Sequence, residues 1–245
     1  MAVFARPTGP DRPPGLARPT PDSASPATRP QAGGPARAHA LGALRQAILG
    51  GDLAPGQRLI EEELAADLSV TRASLRAALM ELTAEGLVER VPNKGARVRV
   101  VTADEAVAIT ECRMALEALC AVKAAQHITD EQIGALLELG ERLRNSVADG
   151  DPLKYSEANQ ELHRVVRAIS GQTVAVELLQ RLNAQLVRHQ FQLALRPGRP
   201  ERSLGEHLAI IDAITRRDPD AADKATRRHL SSVITALRAA GDRRT

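Results

Sequence analysis

The chain has 245 residues, enough for two domains of ordinary size, and its 33 basic and 30 acidic side chains give a formal net charge of +3. It has one tyrosine, two phenylalanines and no tryptophan, so we expect an aliphatic core, and a ligand site built as an aromatic cage is excluded. No apolar run reaches the roughly eighteen residues that a transmembrane helix requires, so we expect no membrane partner.

Residues 1–38 differ in composition from the rest of the chain. They hold nine of the fifteen prolines, five arginines and only two acidic residues. Such a segment cannot bury a core, so we expect it to be disordered. It also lacks the apolar stretch of a secretory signal, which favours a cytoplasmic protein. The tail is either a weak, non-specific DNA-binding arm or an extension without function, and we favour the second interpretation.

Residues 59–72 have the pattern of a helix-turn-helix motif. A short amphipathic helix over residues 59–68 is followed by a tight turn at Ser69 and Val70. The hydroxyl of Thr71 can then cap a second helix. Two helices joined by so short a turn form a helix-turn-helix. The apolar residues expected on the inner face of the first helix are Leu64, Ala65 and Leu68.

The second helix of this motif, which we call the recognition helix, has a basic front and an apolar back. Arg72 and Arg76 are four residues apart and therefore project from the same face. Leu75, Leu79 and Leu82 have the spacing of a buried stripe on the opposite face. An arginine can bond a guanine edge bidentately or hold a phosphate, so this helix suits a DNA groove. By itself the pattern also fits an ordinary surface helix with two solvated arginines.

A β-hairpin is predicted directly after the recognition helix. Residues 86–91 have strand composition, residues 92–95 have turn composition, and residues 96–100 alternate apolar and basic side chains. These elements complete a winged helix-turn-helix. Residues 40–70 carry two basic and five acidic side chains, whereas residues 71–100 carry six basic and three acidic ones, as expected for a face that meets phosphates. The residues expected to contact DNA are Thr71, Arg72, Ser74, Arg76, Lys94, Gly95 and Arg97.

A longer pattern runs through the same segment. It consists of Ile48, Gly51, Leu53, Pro55, Gly56, Leu59, Glu61, Leu64, Ala65, Arg72, Arg76, Leu79, Leu82, Glu85, Gly86, Leu87 and Gly95. This pattern, about sixty residues long and irregularly spaced, resembles the N-terminal domain of GntR-type bacterial transcription regulators. The resemblance implies a winged helix-turn-helix that binds a double-stranded DNA operator. Ser69 stands where the family usually has glycine, so a modestly strained left-handed backbone is expected there.

From Thr102 onward the chain is predicted to be entirely helical, so the fold class is mainly α. Leucine or alanine recurs at helical spacing between turn residues. Cys112 and Cys120 lie about 12 Å apart on one predicted helix, too far for a disulfide, and are expected to be reduced core residues. The predicted helices are 103–126, 130–148, 152–170, 173–194, 200–217 and 219–240. The expected domains are a tail (1–38), a winged helix-turn-helix domain (39–101), a helical ligand-binding and dimerisation domain (102–240) and a short tail (241–245).

Three histidines and one asparagine of the helical half could converge. Asn159 and His163 are four residues apart on one predicted helix. His207 and His229 lie at similar distances on either side of the helix break at Pro219, so antiparallel pairing brings them to the same height. Three imidazoles and one oxygen ligand inside a helical bundle suit zinc, or another divalent ion such as nickel or manganese. The alternative is that they are unconnected surface or core residues.

The same positions belong to a further pattern. It reads Asn159-Gln-Glu-Leu-His163, then Glu206-His207-Leu-Ala-Ile210, then His229-Leu230. This resembles the FCD effector domain of the FadR subgroup of GntR regulators, whose metal-binding members coordinate the ion through these residues. The subgroup often has aspartate where this chain has Asn159, and an amide oxygen is a weaker ligand than a carboxylate. Six helices fit the six-helix branch of the family better than the seven-helix branch that binds acyl-CoA.

Arg113 is the candidate residue for binding an effector. Together with Glu117 it matches an R-x-x-x-E pattern that is common in the same family. Its guanidinium could hold the carboxylate of an effector, or it could pair with Glu117 one helical turn further on. The sequence leaves both roles open.

These features predict a ligand-responsive transcription regulator that binds a pseudo-palindromic operator as a homodimer. A repressor that is released by a small organic acid bound near the metal is the expected form. A metal-dependent hydrolase is an alternative, and it would need a general base beside the metal, for which Glu161 and Glu206 neighbour the ligands in sequence. The helix-turn-helix has no place in an enzyme of that kind. A second alternative is a constitutive DNA-binding protein whose bundle is purely structural.

Overall fold

The described part of the chain forms two compact units. A computed structural model describes residues 33–92, 95–194 and 196–241, and the first unit ends at Val100 while the second begins at Val101. The predicted disorder of residues 1–32 and the predicted DNA contact Lys94 lie outside the described residues, as do residues 242–245. None of the described helices is long and apolar enough to cross a membrane.

The first unit contains, within its described residues, three helices and a small antiparallel sheet, and the third helix packs against both other helices and the sheet. The sheet has the strand order β1-β3-β2, and in the predicted hairpin Val88 lies opposite Val98 and Val91 opposite Gly95. The turn of the hairpin contains the two residues that are not described. In chain order the elements are α1 (Gly34–Gly50), β1 (Arg58–Leu59), α2 (Glu61–Asp67), α3 (Arg72–Ala84), β2 (Val88–Val91) and β3 (Gly95–Val98).

Helix α1 begins earlier than the composition of the tail suggested. It starts at Gly34, inside the segment expected to be disordered up to residue 38. Pro35 suits the first turn, because the N–H groups there have no acceptor within the helix. Ala36 and Ala40 are one turn apart and fully buried, so the apolar stripe of α1 already begins here. The average composition of residues 1–38 concealed this short stripe.

The prediction of a helix over residues 59–68 is wrong at its start. Leu59 belongs to β1, which pairs with β3, and α2 begins only at Glu61. Gly56 has a φ of 81° and donates its N–H to the carbonyl of Val98 at 2.9 Å. This glycine turn carries the next residues along the edge of β3, so Leu59, the first position of the expected helix, lies in a strand, and Ile60 is the N-cap of α2.

Helix α3 is the predicted recognition helix. The hydroxyl oxygen of Thr71 caps it by accepting a hydrogen bond from the N–H of Ser74 at 3.2 Å. Ser69, in the turn before it, has a φ of 54°, so the left-handed conformation expected at this non-glycine residue is present. The apolar back of the helix is completely buried, as predicted, at Leu75, Leu79 and Leu82.

The second unit, over its described residues, consists of the six predicted helices. Their bounds agree with the prediction to within two residues. The largest difference is at the end of α8, where Arg217 has a φ of 54° and the helix has already stopped at Thr215. The helices are α4 (Ala103–His127), α5 (Asp130–Ala148), α6 (Pro152–Ser170), α7 (Thr173–Ala194), α8 (Arg199–Thr215) and α9 (Pro219–Gly241).

The boundaries of these helices follow from local side-chain chemistry. Thr129 and Gln132 form a reciprocal capping box at the start of α5. Asp151 accepts hydrogen bonds from two backbone N–H groups at the start of α6, where Pro152 occupies the first position. Gly171 ends α6 with a φ of 66°, a conformation that glycine adopts without steric cost.

Helix α4 lies at the centre of the bundle, packed against α6 and α9, while α8 packs against α9 and α5. The core is aliphatic, as expected, and Cys120 is buried in it, whereas Cys112 is exposed against expectation. Burial is unusual for charged and imidazole side chains unless they are paired. Among the described residues of this unit, five such side chains are nevertheless buried, namely Arg113, Glu117, Arg199, His207 and His229. They mark the candidate site.

Candidate functional site

Three imidazoles meet between α6, α8 and α9. Ligand-type nitrogen atoms of His163, His207 and His229 all lie within 4.8 Å of one another. The Nε2 atoms of His207 and His229 are 3.3 Å apart, and the ring centroid of His163 lies 5.4 Å and 5.6 Å from theirs. The antiparallel pairing of α8 and α9 therefore brings His207 and His229 to the same height, as the sequence predicted. This group is called the imidazole cluster below.

The outer nitrogen of His229 is fixed by a carboxylate. Its Nδ1 lies 2.8 Å from Oε2 of Glu206. Burial alone would raise the pKa of Glu206, but hydrogen bonds from His229 and Ser232 outweigh it and the pKa is lowered. An ionised carboxylate only accepts hydrogen bonds, so Nδ1 of His229 must carry the proton. In the neutral imidazole the lone pair is then on Nε2, which faces His207.

The outer nitrogen of His207 contacts a phenol. The Tyr155 hydroxyl oxygen lies 3.1 Å from Nδ1 of His207. Burial raises the pKa of Tyr155, so its hydroxyl stays protonated and can accept or donate one hydrogen bond here. When the phenol oxygen accepts, Nε2 of His207 is unprotonated, like Nε2 of His229.

The third imidazole is held by a buried ion pair on α4. Nδ1 of His163 lies 3.2 Å from Oε2 of Glu117, and Oε1 of Glu117 accepts from Nη2 of Arg113 at 2.7 Å and from its Nε at 3.0 Å. Burial alone would raise the pKa of Glu117, but the charges of Arg113 and His163 outweigh it and hold that pKa well below its usual value. Glu117 is thus an ionised acceptor for Nδ1 of His163. All three Nδ1 atoms have partners outside the cluster.

Two of the imidazoles are kept neutral by their surroundings. Burial holds the pKa of His207 well below its usual value, and the repulsion that a protonated His229 or His163 would add acts in the same direction. Burial also lowers the pKa of His229, although the Glu206 carboxylate opposes the shift. Neutral imidazole is the form that binds metals and transfers protons. The outer acceptors orient the rings, as the outer hydrogen-bond partners of metal-ligating histidines do.

Helix α6 carries one continuous stripe of polar side chains beside the cluster. Tyr155, Asn159, His163 and Arg167 are spaced four residues apart and therefore share one face. Asn159 lies between Tyr155 and His163, both of which are neighbours of His207. Among the described residues, Oδ1 of Asn159 is buried and has no hydrogen-bond partner. A buried amide oxygen without a partner is costly unless a ligand supplies one.

A cavity lies beside His163, on the side of the α6 stripe that leads to Arg167. Its volume is only about 20 Å³. The walls are apolar at Leu162, Val166 and Ile210, whereas the polar residues that line it are Glu117, Cys120, His163, Arg167 and Thr226. A cavity of this size next to the imidazole cluster has room for about one water molecule.

The structure shows one of the two roles that the sequence left open for Arg113, and its binding of an effector stays a prediction. Its guanidinium forms the buried ion pair with Glu117, and the cation that lines the cavity is Arg167. Sequence reasoning missed Arg167, although its spacing of four residues from His163 could have revealed it. It also missed Tyr155 as a partner of His207. Tyr155 lies four residues before Asn159 on α6, so the same spacing could have revealed it.

Neither acidic residue suggested as a hydrolytic base has a suitable position. Glu161 is on the outside of α6, where it pairs with Arg164. Glu206 contacts the outer nitrogen of His229 and lies 3.5 Å from Nη2 of Arg199, so its carboxylate orients the ring instead of facing the interior of the cluster.

In the first unit, the two arginines of the recognition helix are exposed and paired with acidic residues of α2. Nη2 of Arg72 lies 2.5 Å from Oε1 of Glu62, and Nε of Arg76 lies 2.5 Å from Oε2 of Glu61. The arginine side chains retain 59% and 61% of their accessible surface, so they can exchange an acidic partner for a phosphate or a base. They share a face, as predicted from their spacing.

The remaining predicted DNA contacts occupy the helix start and the wing. Thr71 and Ser74 are engaged with each other in the cap of α3, and Ser74 is buried. On the wing, Arg97 is half-exposed and its Nε lies 2.6 Å from Oε1 of Glu89. Gly95 begins β3 with a φ of 84°, a backbone conformation that a side chain would strain.

Comparison with known families covers both units. Residues 37–98 match the family model described as bacterial regulatory proteins, gntR family, and residues 108–232 match the FCD domain model. The HTH-type transcriptional repressor NanR of Salmonella newport is 31% identical over 81% of this chain and 84% of its own length. The chain belongs to the GntR family. Within it, the FCD domain agrees with the FadR-like subgroup.

Two solved structures have the same fold. A putative GntR transcriptional regulator from Rhodococcus sp. RHA1 is 25% identical, with a TM-score of 0.67 over 84% of this chain and 99% of that protein. E. coli McbR/YncC is similar in fold, with a TM-score of 0.68 over 83% of this chain and 97% of that protein at 20% identity. This GntR protein is therefore a ligand-responsive, DNA-binding transcriptional regulator and not an enzyme.

Proposed function

We propose that this regulator is a homodimeric repressor that binds a divalent metal ion in the imidazole cluster and leaves its operator when a small organic acid binds beside that ion. The proposed ligands are Asn159, His163, His207 and His229, with zinc as the favoured ion and nickel or manganese as alternatives. The metal supplies a Lewis-acidic position that an oxygen atom of the effector can occupy.

The observation that carries this proposal is the unpartnered Oδ1 of Asn159 beside three oriented imidazoles. Each Nδ1 has a partner outside the cluster, which leaves the three Nε2 atoms for a ligand inside it. Asn159 adds an oxygen donor on the same side of α6 as His163. Three imidazole nitrogens and one oxygen form a donor set that suits zinc.

The short distance between His207 and His229 also supports a cation in the cluster. Their Nε2 atoms are 3.3 Å apart. If both imidazoles are protonated on Nδ1, two lone pairs face each other and repel. A proton or a metal ion shared between the two nitrogens relieves this repulsion. The low pKa of His207 disfavours an added proton, so a metal ion is the better occupant.

We place the effector beside His163, where side chains must move to enlarge the small cavity. Two residues of α4 orient His163, because Arg113 fixes the Glu117 carboxylate and Glu117 in turn holds Nδ1 of His163. Arg113 therefore acts on the effector through these two residues. An acid that displaces His163 or its partner disturbs α4, the central helix of the bundle, and such a change could alter the dimer.

Exposed apolar residues support a dimer formed by the helical unit. Leu119 on α4 is 40% exposed, and on α7 Val174 is 71% and Leu178 is 43% exposed. The two helices pack against each other through Cys120, Ala175 and Leu179, so these exposed residues can contribute to one apolar surface. A surface of that kind suits contact with a second copy of the chain.

An operator-release experiment tests the proposed function. Full-length, metal-loaded protein is bound to DNA from its own promoter region, and a set of small organic acids is added in a gel-shift assay. We expect at least one acid to release the DNA, and removal of the metal with a chelator to abolish its effect. Release by the same acid at the same concentration without metal would exclude the proposed site. The repressor name of the relative NanR supports the expected direction.

A further inference from the structure

A broad groove lies on the helical unit beside the start of α8. Its volume is about 810 Å³, it opens to solvent, and it shares no lining residue with the small cavity beside His163. It is bounded by the link between α7 and α8, by the first turn of α8 and by the end of α9. Pockets for small organic molecules have volumes of roughly 300–1,000 Å³, so this groove has room for one. It is called the arginine groove below.

Three arginines line the arginine groove, namely Arg196, Arg199 and Arg202, and none of the other described residues that line it is acidic. Nη1 of Arg196 donates to the backbone carbonyl of Ala236 at 3.0 Å, so an uncharged acceptor holds this guanidinium. Arg202 is exposed, and it makes no hydrogen bond or ion pair with any residue that the structure describes. The groove therefore concentrates positive charge in a space large enough for a ligand.

Arg199 is the arginine whose position is fixed most firmly. Only 9% of its surface is exposed. Its Nη1 donates to Oγ of Ser232 at 2.6 Å, and its Nη2 lies 3.5 Å from Oε2 of Glu206. Glu206 partly neutralises Arg199, whereas Arg196 and Arg202 have no carboxylate partner in the described part of the chain. Two of the three positive charges are thus uncompensated.

The guanidinium groups of Arg199 and Arg202 also repel each other. The two residues are three apart on α8 and therefore share a face. Burial lowers the pKa of Arg199, Glu206 opposes the shift, and the positive charge of Arg202 adds to it. Both side chains stay charged at physiological pH, because an arginine is not deprotonated in proteins. An anion bound between them would relieve this repulsion.

We propose that the arginine groove binds a small organic phosphate, whose phosphate group contacts Arg196, Arg199 and Arg202. A phosphate monoester carries nearly two negative charges and three acceptor oxygens, so it can engage several guanidinium groups at once. A carboxylate has two oxygens and a single charge, so it matches this set of arginines less well. The organic part of the ligand then lies against the three alanines that line the groove near the end of α9. This site would serve a second effector and does not depend on the proposed function.

Calorimetric titration of the full-length, metal-loaded protein tests the arginine groove. The probes are the esters AMP, UMP and glycerol phosphate, their unphosphorylated counterparts adenosine, uridine and glycerol, and inorganic phosphate. We expect at least one ester to bind with a Kd below about 1 mM. That ester should bind at least about fivefold more tightly than inorganic phosphate, because its organic part adds contacts with the groove. The unphosphorylated counterparts should not bind.

One substitution and a matched control locate the binding. Arg202→Gln should weaken ester binding at least about fivefold, because a charge-assisted hydrogen bond is lost. The fold should persist, since this side chain is exposed. The control is Arg216→Gln at the other end of α8, where Arg216 is exposed and pairs with Asp212. It should bind the ester like the wild type. Both variants keep the arginines of the recognition helix, so a difference between them cannot arise there.

The possible outcomes are distinguishable. If no ester binds with a Kd below about 1 mM, or if the unphosphorylated counterparts bind equally well, the groove is not a phosphate site. If inorganic phosphate binds as tightly as the esters do, the groove holds an inorganic ion only and the proposed ligand class is wrong. Unchanged ester affinity of Arg202→Gln would place the binding outside the groove. The proposed release by an organic acid is tested separately and stands in each case.

Discussion

Nη2 of Arg72 on the recognition helix lies 2.5 Å from Oε1 of Glu62 on the preceding helix. Arg76 forms a similar pair with Glu61. The arginines that we expect to read DNA are thus neutralised by acidic residues of their own motif. DNA must displace these acids before it can bind the guanidinium groups, so α2 lowers the net affinity for all DNA.

Removal of the acidic partner should therefore strengthen DNA binding. We expect Glu62→Gln to raise operator affinity about two- to fivefold, because an exposed ion pair contributes at most about 1 kcal/mol. Non-specific DNA should gain by a similar factor, which can be measured by fluorescence anisotropy at two salt concentrations. Glu63→Gln on the same helix is the control. Equal affinity of Glu62→Gln and the control would show that the ion pair does not compete with DNA.

Removal of the recognition-helix arginines should lower DNA affinity, and it should lower operator affinity more than affinity for unrelated DNA. Arg72→Ala or Arg76→Ala should weaken operator binding by roughly 1–3 kcal/mol if the side chain reads a base. Arg97→Ala on the wing should weaken binding to all sequences and flatten the salt dependence, because a phosphate contact releases a counterion. Gel shifts with operator and unrelated DNA distinguish the two effects. Arg144→Ala in α5 is the control, and unchanged operator affinity of both recognition-helix variants would exclude our assignment.

Replacement of the proposed metal ligands should change metal content and thermal stability together. His207→Ala and His229→Ala should each remove the ion and lower the Tm, because an ion that binds only the native state stabilises it. Elemental analysis and thermal unfolding with and without added zinc measure both effects. His189→Ala is the control, since Nε2 of His189 contacts the backbone carbonyl of Val101 outside the cluster. Retention of wild-type metal by both cluster variants would mean that the ion binds elsewhere.

Asn159→Asp should increase metal affinity. A carboxylate adds a negative charge next to a divalent cation at the position where the amide oxygen has no partner. Titration of zinc into the metal-free variant and the wild type measures the change. Equal affinities, together with metal loss in the histidine variants, would place Asn159 outside the coordination shell.

The Glu206 carboxylate should raise the metal affinity of the cluster by orienting His229. Glu206→Gln removes the charge but keeps a potential acceptor near Nδ1, so we expect the fold to persist and metal affinity to fall roughly ten- to a hundredfold. The control Glu201→Gln lies on the same helix. If Glu206→Gln binds metal as tightly as the control does, the orientation of His229 does not depend on this charge.

The helices could be predicted from the sequence because their limits depend on neighbouring residues. Thr129, Asp151 and Gly171 each act through local capping chemistry, and the predicted bounds at these positions are correct. The start of α2 could not be predicted in the same way. Leu59 has the apolar character that a helix also requires, and its strand conformation depends on β3, which is more than thirty residues away.

In the candidate site, too, contacts set by local spacing could be predicted from the sequence, whereas contacts set by the packing of distant helices could not. The convergence of His207 and His229 follows from their similar spacing on either side of Pro219, which is a local property of a helical hairpin. The contact between His163 and Glu117 depends on how α6 crosses α4, and no spacing in the sequence encodes that crossing. The sequence accordingly showed the spacing of Arg113 and Glu117, but not that their ion pair contacts His163.

The imidazole cluster takes its last donor from α9, whereas the first unit is complete at Val100. During synthesis the operator-reading part of the chain therefore emerges well before the cluster can assemble. A nonsense mutation that stops translation before His229 would leave the first unit intact and remove an imidazole that the proposed sensor requires. If such a fragment still binds its operator, it acts as a repressor that no inducer can release. In a reporter strain that also makes the intact protein, expression would then stay repressed after the inducer is added.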